Sequence, residues 1–254
     1  MTPARKYLAL AGLLLACGLG AWLVMNRQSV VATKPESPVS PIAPTVPDDL
    51  SSLTVAENFT RATSQAERLK WVRQPAEVAP AMAEFFSTGA GAHEVVAKLE
   101  AMPPVDTDTL SYLRYGVTMA AGPPRLLCVV ATADGAKVDF RAYARHGSVP
   151  WAALLAGQAQ EAGEMRVSLK KGNYYNFGFQ HEVRWQHFTA TSPDLEDPVA
   201  LYIARSDPAF KLLEQLDSKR PVRATVALRT LGDSHLHRQF EITRFLGAGW
   251  VVAN

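Results

Sequence analysis

The chain has 254 residues, 48% of them hydrophobic and 20% charged, with 26 Lys+Arg against 24 Asp+Glu and two cysteines. Such a composition excludes a disulfide-stapled miniprotein, a collagen-like or wholly disordered chain, and a membrane protein of many spans. The near-neutral average hides two unusual stretches at the N-terminus.

Residues 1–6 are a short basic tail with Arg5 and Lys6, and Tyr7 to Met25 follow without a charge. As a helix the uncharged stretch would span about 28 Å, close to the roughly 30 Å of a bilayer's hydrocarbon core. Tyr7 and Trp22 stand where interfacial anchors stand, and Arg27 closes the far side. The pattern predicts one transmembrane helix over 7–25, a single-pass signal-anchor. A cleaved signal peptide has a shorter apolar region, and its best cleavage site here, Val30-Val31-Ala32, is weak. Lipidation at Cys17, after Leu14-Leu15-Ala16, would leave the apolar Gly18 to Met25 at the mature N-terminus. Arg5, Lys6 and the amino terminus outweigh Arg27 and Lys34, which places the N-terminus in the cytoplasm and the bulk of the chain outside it.

Residues 26–48 carry Pro35, Pro38, Pro41, Pro44 and Pro47, a strict period of three. Three residues per turn is the polyproline II repeat, and at about 3.1 Å per residue the 13 residues from Pro35 to Pro47 extend roughly 40 Å. The expectation is a stiff spacer. A PxxP ligand would need a basic residue at the positions that orient a docked peptide, and none sits there.

The expected fold class beyond the spacer is α+β, in two domains. The first, 49–163, opens with helical spacing at Val55, Phe59 and Ala62. Ser64-Gln65-Ala66-Glu67 is a capping box ahead of Leu69 and Val72, and Pro75 starts a further helix through Met82, Phe85 and Phe86. A short last helix is expected over 93–102. Alternation at Leu113, Tyr115, Val117 and Met119 marks a strand, Leu126 to Ala131 a second, and Asp134-Gly135 a hairpin turn into a return strand over 137–144. Helices followed by an antiparallel meander are similar in order to the NTF2-like fold.

The second domain, 164–254, reads as three strands (Met165 to Lys170, Arg184 to Thr191, Val199 to Ala204), a helix, and two more strands (Val222 to Arg229, Gln239 to Phe245). Asp207 is the expected N-cap of that helix and Pro208 its first residue, with Phe210, Leu213 and Leu212 or Leu216 on its apolar face. A helix between the third and fourth of five strands resembles an OB-like β-barrel. The anchor, the Pro-rich linker and the two domains together resemble uncharacterised bacterial signal-anchored membrane proteins, a resemblance that carries no activity.

Candidate ligand-binding residues fall in two places. Lys170, Lys171 and Tyr174 lead into an aromatic run with Tyr175, Phe177 and Phe179. Basic grooves with stacked aromatics bind single strands, while strand alternation assigns Tyr175, Phe177 and Phe179 to the core. Asp139 and Arg141 alternate with Tyr143 and Arg145 on the expected return strand and would line a pocket if the meander encloses one. His235 and His237 would form half of a metal site, with His181 and His187 as candidates for the rest, but no Cys or carboxylate stands at the usual spacing and the pair reads as a hairpin tip. Asn58-Phe59-Thr60 fits a glycosylation sequon but sits on an expected helix. No nucleophile elbow, phosphate loop, dinucleotide fingerprint or zincin motif occurs, so neither a cofactor nor a catalytic residue is expected. The residues from 48 onward have a net charge of −1, which argues against a dominant nucleic-acid role. The function expected is that of a membrane-anchored extracytoplasmic binding or scaffolding protein, with the lipid bilayer and an unidentified protein or envelope component as partners. The alternatives are a small-ligand-binding or enzymatic NTF2-like module and an OB-type single-stranded nucleic-acid binder.

Overall fold

The structure is a computed structural model that describes residues 49–87, 91–92, 94–106, 110–215 and 219–253. The expected transmembrane helix and spacer lie outside the described residues. Among those described, no helix is long and apolar enough to cross a membrane. All of them belong to one compact unit, 43–254.

Helix α1 (Asp49–Arg61) buries Ser52, Val55, Ala56 and Phe59, spaced three and four apart as a helix face requires. The capping box is present at α2 (Gln65–Leu69). Ser64 Oγ accepts the Glu67 amide at 3.2 Å, and Glu67 Oε2 accepts the amides of Thr63 and Ser64 at 3.0 and 3.3 Å. Those backbone amides, Thr63 first, hold the Glu67 carboxyl below its usual range. Helix α3 (Pro75–Ser87) turns Val78, Met82 and Phe85 inward.

Two expectations fail in the sheet that follows. The helix expected over 93–102 is instead strand β1 (Val96–Asp106), paired antiparallel to β2 (Ser111–Met119). The Ala, Lys, Leu, Glu and Met of this segment favour helix, but the ladder to β2 and the Pro103-Pro104 pair decide otherwise. Strand β3 (Arg125–Thr132) turns at Asp134-Gly135 into β4 (Gly135–Val138), completing the order β1-β2-β3-β4. The return strand ends at Val138, not Ala144. Asp139 Oδ1 accepts the Ala142 amide at 2.7 Å and caps α4 (Phe140–Ala144), which folds Phe140 and Tyr143 back onto the helices.

The sheet is covered on both faces. Leu113, Tyr115, Val117, Leu127 and Val129 pack against Phe59, Met82 and Phe85. The alternate residues, Tyr112, Leu126, Cys128 and Val130, pack against Trp250 and Val251 from the end of the chain. Cys128 is a buried free thiol whose pKa burial pushes up.

The second half is a closed five-stranded barrel with a short helix, α5 (Trp151–Leu155), packed into its core through Trp151 and Leu154. Its strands are β5 (Glu161–Gly172), β6 (Trp185–Thr191), β7 (Val199–Ala204), β8 (Val222–Arg229) and β9 (Gln239–Ala248). They run β5-β6-β7-β9-β8 and back to β5, parallel between β7 and β9 and antiparallel elsewhere. This order, with α6 (Phe210–Glu214) between β7 and β8, is consistent with an OB-like barrel. Helix α6 begins two residues later than Pro208, because Asp207 Oδ1 accepts the Ala209 amide at 2.8 Å and makes a turn before it. Leu213 is its buried contact, and Leu212 faces outward. Val167, Leu169, Phe188, Leu201, Ile203, Val226, Leu228, Phe240 and Ile242 alternate into the barrel core.

Buried arginines join the halves. From β5, Arg166 donates to the carbonyls of Trp250 at 2.8 Å and His146 at 2.6 Å and lies 2.7 Å from Glu164. Arg145, at the left-handed cap of α4, grips Asp194 of the β6–β7 loop with Nε at 3.1 Å and Nη2 at 2.7 Å. Arg73 pairs with Asp139 at 2.6 Å and donates to the Val252 carbonyl at 2.8 Å.

Candidate functional site

Strand β5 ends at Gly172, directly opposite His187 of β6. A Cβ at Gly172 would collide with the His187 imidazole, so the chain leaves the ladder where only glycine fits. Residues 173–184 then lie as a loop over the outer faces of β6 and β7. The Tyr174 amide donates to His187 Nδ1 at 3.2 Å, and the Tyr174 carbonyl accepts the Tyr202 hydroxyl at 3.0 Å. Burial lowers the His187 pKa to about 4, so the imidazole is neutral and its ring nitrogen free to accept that amide. Phe179 stacks on Tyr202 with centroids 4.1 Å apart and meets Trp185 edge-on at 4.9 Å. These three rings are a small separate core under the loop.

A second loop, 230–238, meets the first. Its turn, Ser234–His237, is closed by Ser234 Oγ, which donates to the Gln239 carbonyl at 2.7 Å and accepts the Leu231 amide at 3.1 Å. Arg238 fastens it to the β6–β7 loop through the carbonyls of Asp197 at 2.7 Å and Pro198 at 3.3 Å. Gln239 Nε2 donates to Asn176 Oδ1 and to the Tyr202 hydroxyl, tying both loops to one strand. Phe177 lies flat on His237, with centroids 3.5 Å apart and planes 3° from parallel. Its backbone is left-handed (φ 48°), which costs a non-glycine residue about 1–2 kcal/mol and persists only where the surroundings impose it.

The outcome is a set of exposed apolar side chains on two loops that the Phe177–His237 stack joins. Tyr174 is 55% exposed, Phe177 52%, Leu236 69% and Val183 85%, four of the seven large exposed hydrophobics among the described residues. Lys170 and Lys171 are exposed on β5 just before the loop, and the Arg184 guanidinium lies 5.0 Å above the Trp185 ring.

Lys170 and Lys171 are exposed at the end of β5 and Tyr174 in the loop after it, while the structure corrects the reading of the aromatic run. The segment is a loop, so strand alternation does not apply: Phe179 is buried, Tyr175 half-buried, and Phe177 faces outward. Leu236 and Val183 carried no signal of their own in the sequence. The Gly172-Asn173 and Gly178 breakers were the available sign that the run leaves the strand.

Asp139 and Arg141 are not brought together. Asp139 is 1% exposed and spent on its helix cap and on Arg73. Arg141 reaches Glu77 at 3.3 Å and Glu164 at 3.9 Å on the surface. Neither lines the cleft of about 540 Å³ beside Phe85, Arg145, Trp151 and Arg166, whose two arginines are engaged by Asp194 and Glu164. The histidines also diverge. His235 packs against Gly157 at the end of α5, His237 lies under Phe177, and His187 faces Tyr174, Tyr175 and Tyr202. Asn58 lies on α1, as expected.

No protein-family model, curated protein or solved structure matches the chain.

Proposed function

We propose that the protein is a membrane-anchored, extracytoplasmic binding or scaffolding protein that engages a partner protein or envelope component through its two barrel loops. The single observation that carries this reading is the exposure of Tyr174, Phe177, Val183 and Leu236 on two loops that the Phe177–His237 stack joins. Aromatic anchors already fixed in place lose little conformational freedom on binding, and a clustered apolar patch has a cost in water that a partner removes. The uncharged stretch 7–25 and the proline spacer 26–48 support anchoring and display at a distance from the bilayer. The helix-and-meander half is read as NTF2-like in element order. Its helix-facing side is filled by Phe59, Phe85 and Tyr143, which favours a supporting role over an enclosed ligand chamber.

The test is a photoreactive residue placed at Phe177 or Leu236 of the full chain in intact cells, with Lys98 on β1 as the control position. Discrete adducts from 177 and 236 and none from 98 are expected. Equal yields from all three, or none, would contradict the reading. Retention of the protein in the membrane fraction after alkaline extraction checks the anchor, and loss of the globular part on protease treatment of spheroplasts checks the orientation.

A second reading, single-stranded nucleic-acid binding, is favoured by the exposed Lys170 and Lys171 running into Tyr174. It requires binding that weakens steeply with salt and falls in the Lys170→Ala/Tyr174→Ala double variant.

A further inference from the structure

A cleft of about 610 Å³ lies where the meander meets the barrel, and it involves none of the loop residues above. Three arginines line it: Arg114 from β2, Arg223 from β8, and Arg220 just before β8. Its described lining contains no carboxylate. Arg73, Arg125, Arg145 and Arg166, whose side chains are at least nine-tenths buried, each have an acidic partner. Arg114 and Arg223 are half-buried, yet among the described residues neither they nor Arg220 form an ion pair. Half-buried guanidiniums without a counter-charge repel one another and concentrate positive potential in the cleft.

Two groups give this charge a floor with directional donors. Tyr112 is 3% exposed, lines the cleft, and its hydroxyl has no hydrogen-bond partner among the described residues. Burial pushes its pKa up, with Arg114 and Arg223 close enough to pull against that push, so the phenol keeps its proton and can donate. Ser168, opposite Arg223 in the β5–β8 register, adds a second hydroxyl. Leu126 supplies an apolar wall. Arg223 is itself steadied 5.0 Å above the Trp250 ring, and Arg114 Nε by the Pro103 carbonyl at 2.9 Å. The volume falls in the range of about 300–1,000 Å³ usual for small-molecule sites.

We infer that this cleft binds a multiply charged phosphate group, held by Arg114, Arg220 and Arg223 with the Tyr112 and Ser168 hydroxyls as neutral donors. Guanidinium forks match phosphate oxygens in pairs, and more than one arginine matches more than one negative charge. The group belongs either to a free phosphate compound or to the headgroup of an anionic lipid.

The experiment is calorimetric titration of the full-length chain in non-ionic detergent with two probes, inorganic pyrophosphate and dibutyryl phosphatidic acid. Saturable binding of pyrophosphate alone assigns a free phosphate compound, and tighter binding of the short-chain lipid assigns a headgroup. Either result, weakened about tenfold by the surface variant Arg220→Ala and by Arg114→Gln, sustains the site. Tyr112→Phe would weaken binding several-fold while leaving the thermal midpoint nearly unchanged. No binding of either probe, or equal weakening by the distant Lys98→Ala, would overturn it.

Discussion

The helix-and-sheet half and the barrel each close over an apolar core, but they treat the side chains that leave the core in opposite ways. In the first half both faces of β2 and β3 are covered, by the helices on one side and by Trp250 and Val251 on the other. Several of its charged groups near the barrel are locked into pairs, Arg73 with Asp139 and Arg145 with Asp194, while Arg114 faces the cleft between the halves. In the barrel, Trp185 of β6 and Tyr202 of β7 pack with Phe179 of the loop as a base outside the barrel core, and Tyr174, Phe177 and Leu236 are left exposed to water. Covered faces and paired charges are what a support needs, whereas a stiff uncovered apolar surface is what a binding element needs.

The largest expected effect is on the seam between the halves. Arg166→Ala leaves two carbonyls and Glu164 without their donor in a nearly dry site, and is expected to lower unfolding free energy by about 3–5 kcal/mol in urea titrations. A loss under about 1 kcal/mol would mean the halves are not held through this arginine. Next is the base of the loops. Phe179→Ala removes a ring stacked on Tyr202 and is expected to cost about 3 kcal/mol and to speed proteolysis within 173–184. Gly172→Ala drives a methyl into His187 and is expected to cost about 1–3 kcal/mol.

These positions also show what the linear sequence carries. Local rules sufficed for the capping box at Ser64 and Glu67, the hairpin at Asp134-Gly135, and the alternation that revealed the barrel strands. They failed where a distant partner decides the outcome. Residues 96–102 have helix-forming composition but complete a ladder with β2, and Asp139-Phe-Arg-Ala-Tyr alternates like a strand although its Asp serves as a helix cap. The loop surface was half legible: Lys170, Lys171 and Tyr174 stand out in sequence, but the Phe177–His237 stack joins two loops through tertiary structure alone. The proposed anchor and spacer rest on hydropathy and proline period, in residues outside those described.

A smaller effect follows pH. His187 has a folded pKa of about 4 against an unfolded value of about 6.5, so the folded state binds fewer protons in this window. Its contribution to stability is fully present above about pH 6.5 and is lost as pH falls toward 4. His146, lowered by burial, acts in the same direction. His187→Gln is expected to flatten the dependence of thermal midpoint on pH between those values. Smallest of all is the stability change for Phe177→Ser and Leu236→Ser, within about 0.5 kcal/mol, as for exposed side chains outside the core. Their effect is expected on partner adducts and not on folding.

The most direct measurement is hydrogen exchange of the full-length protein in native membranes compared with the same protein purified in detergent. Membranes are expected to add protection at residues 173–184 and 230–238 while the exposed strand β1 exchanges equally in both. Protection gained along β1 or the helices, with the two loops unchanged, would contradict that expectation.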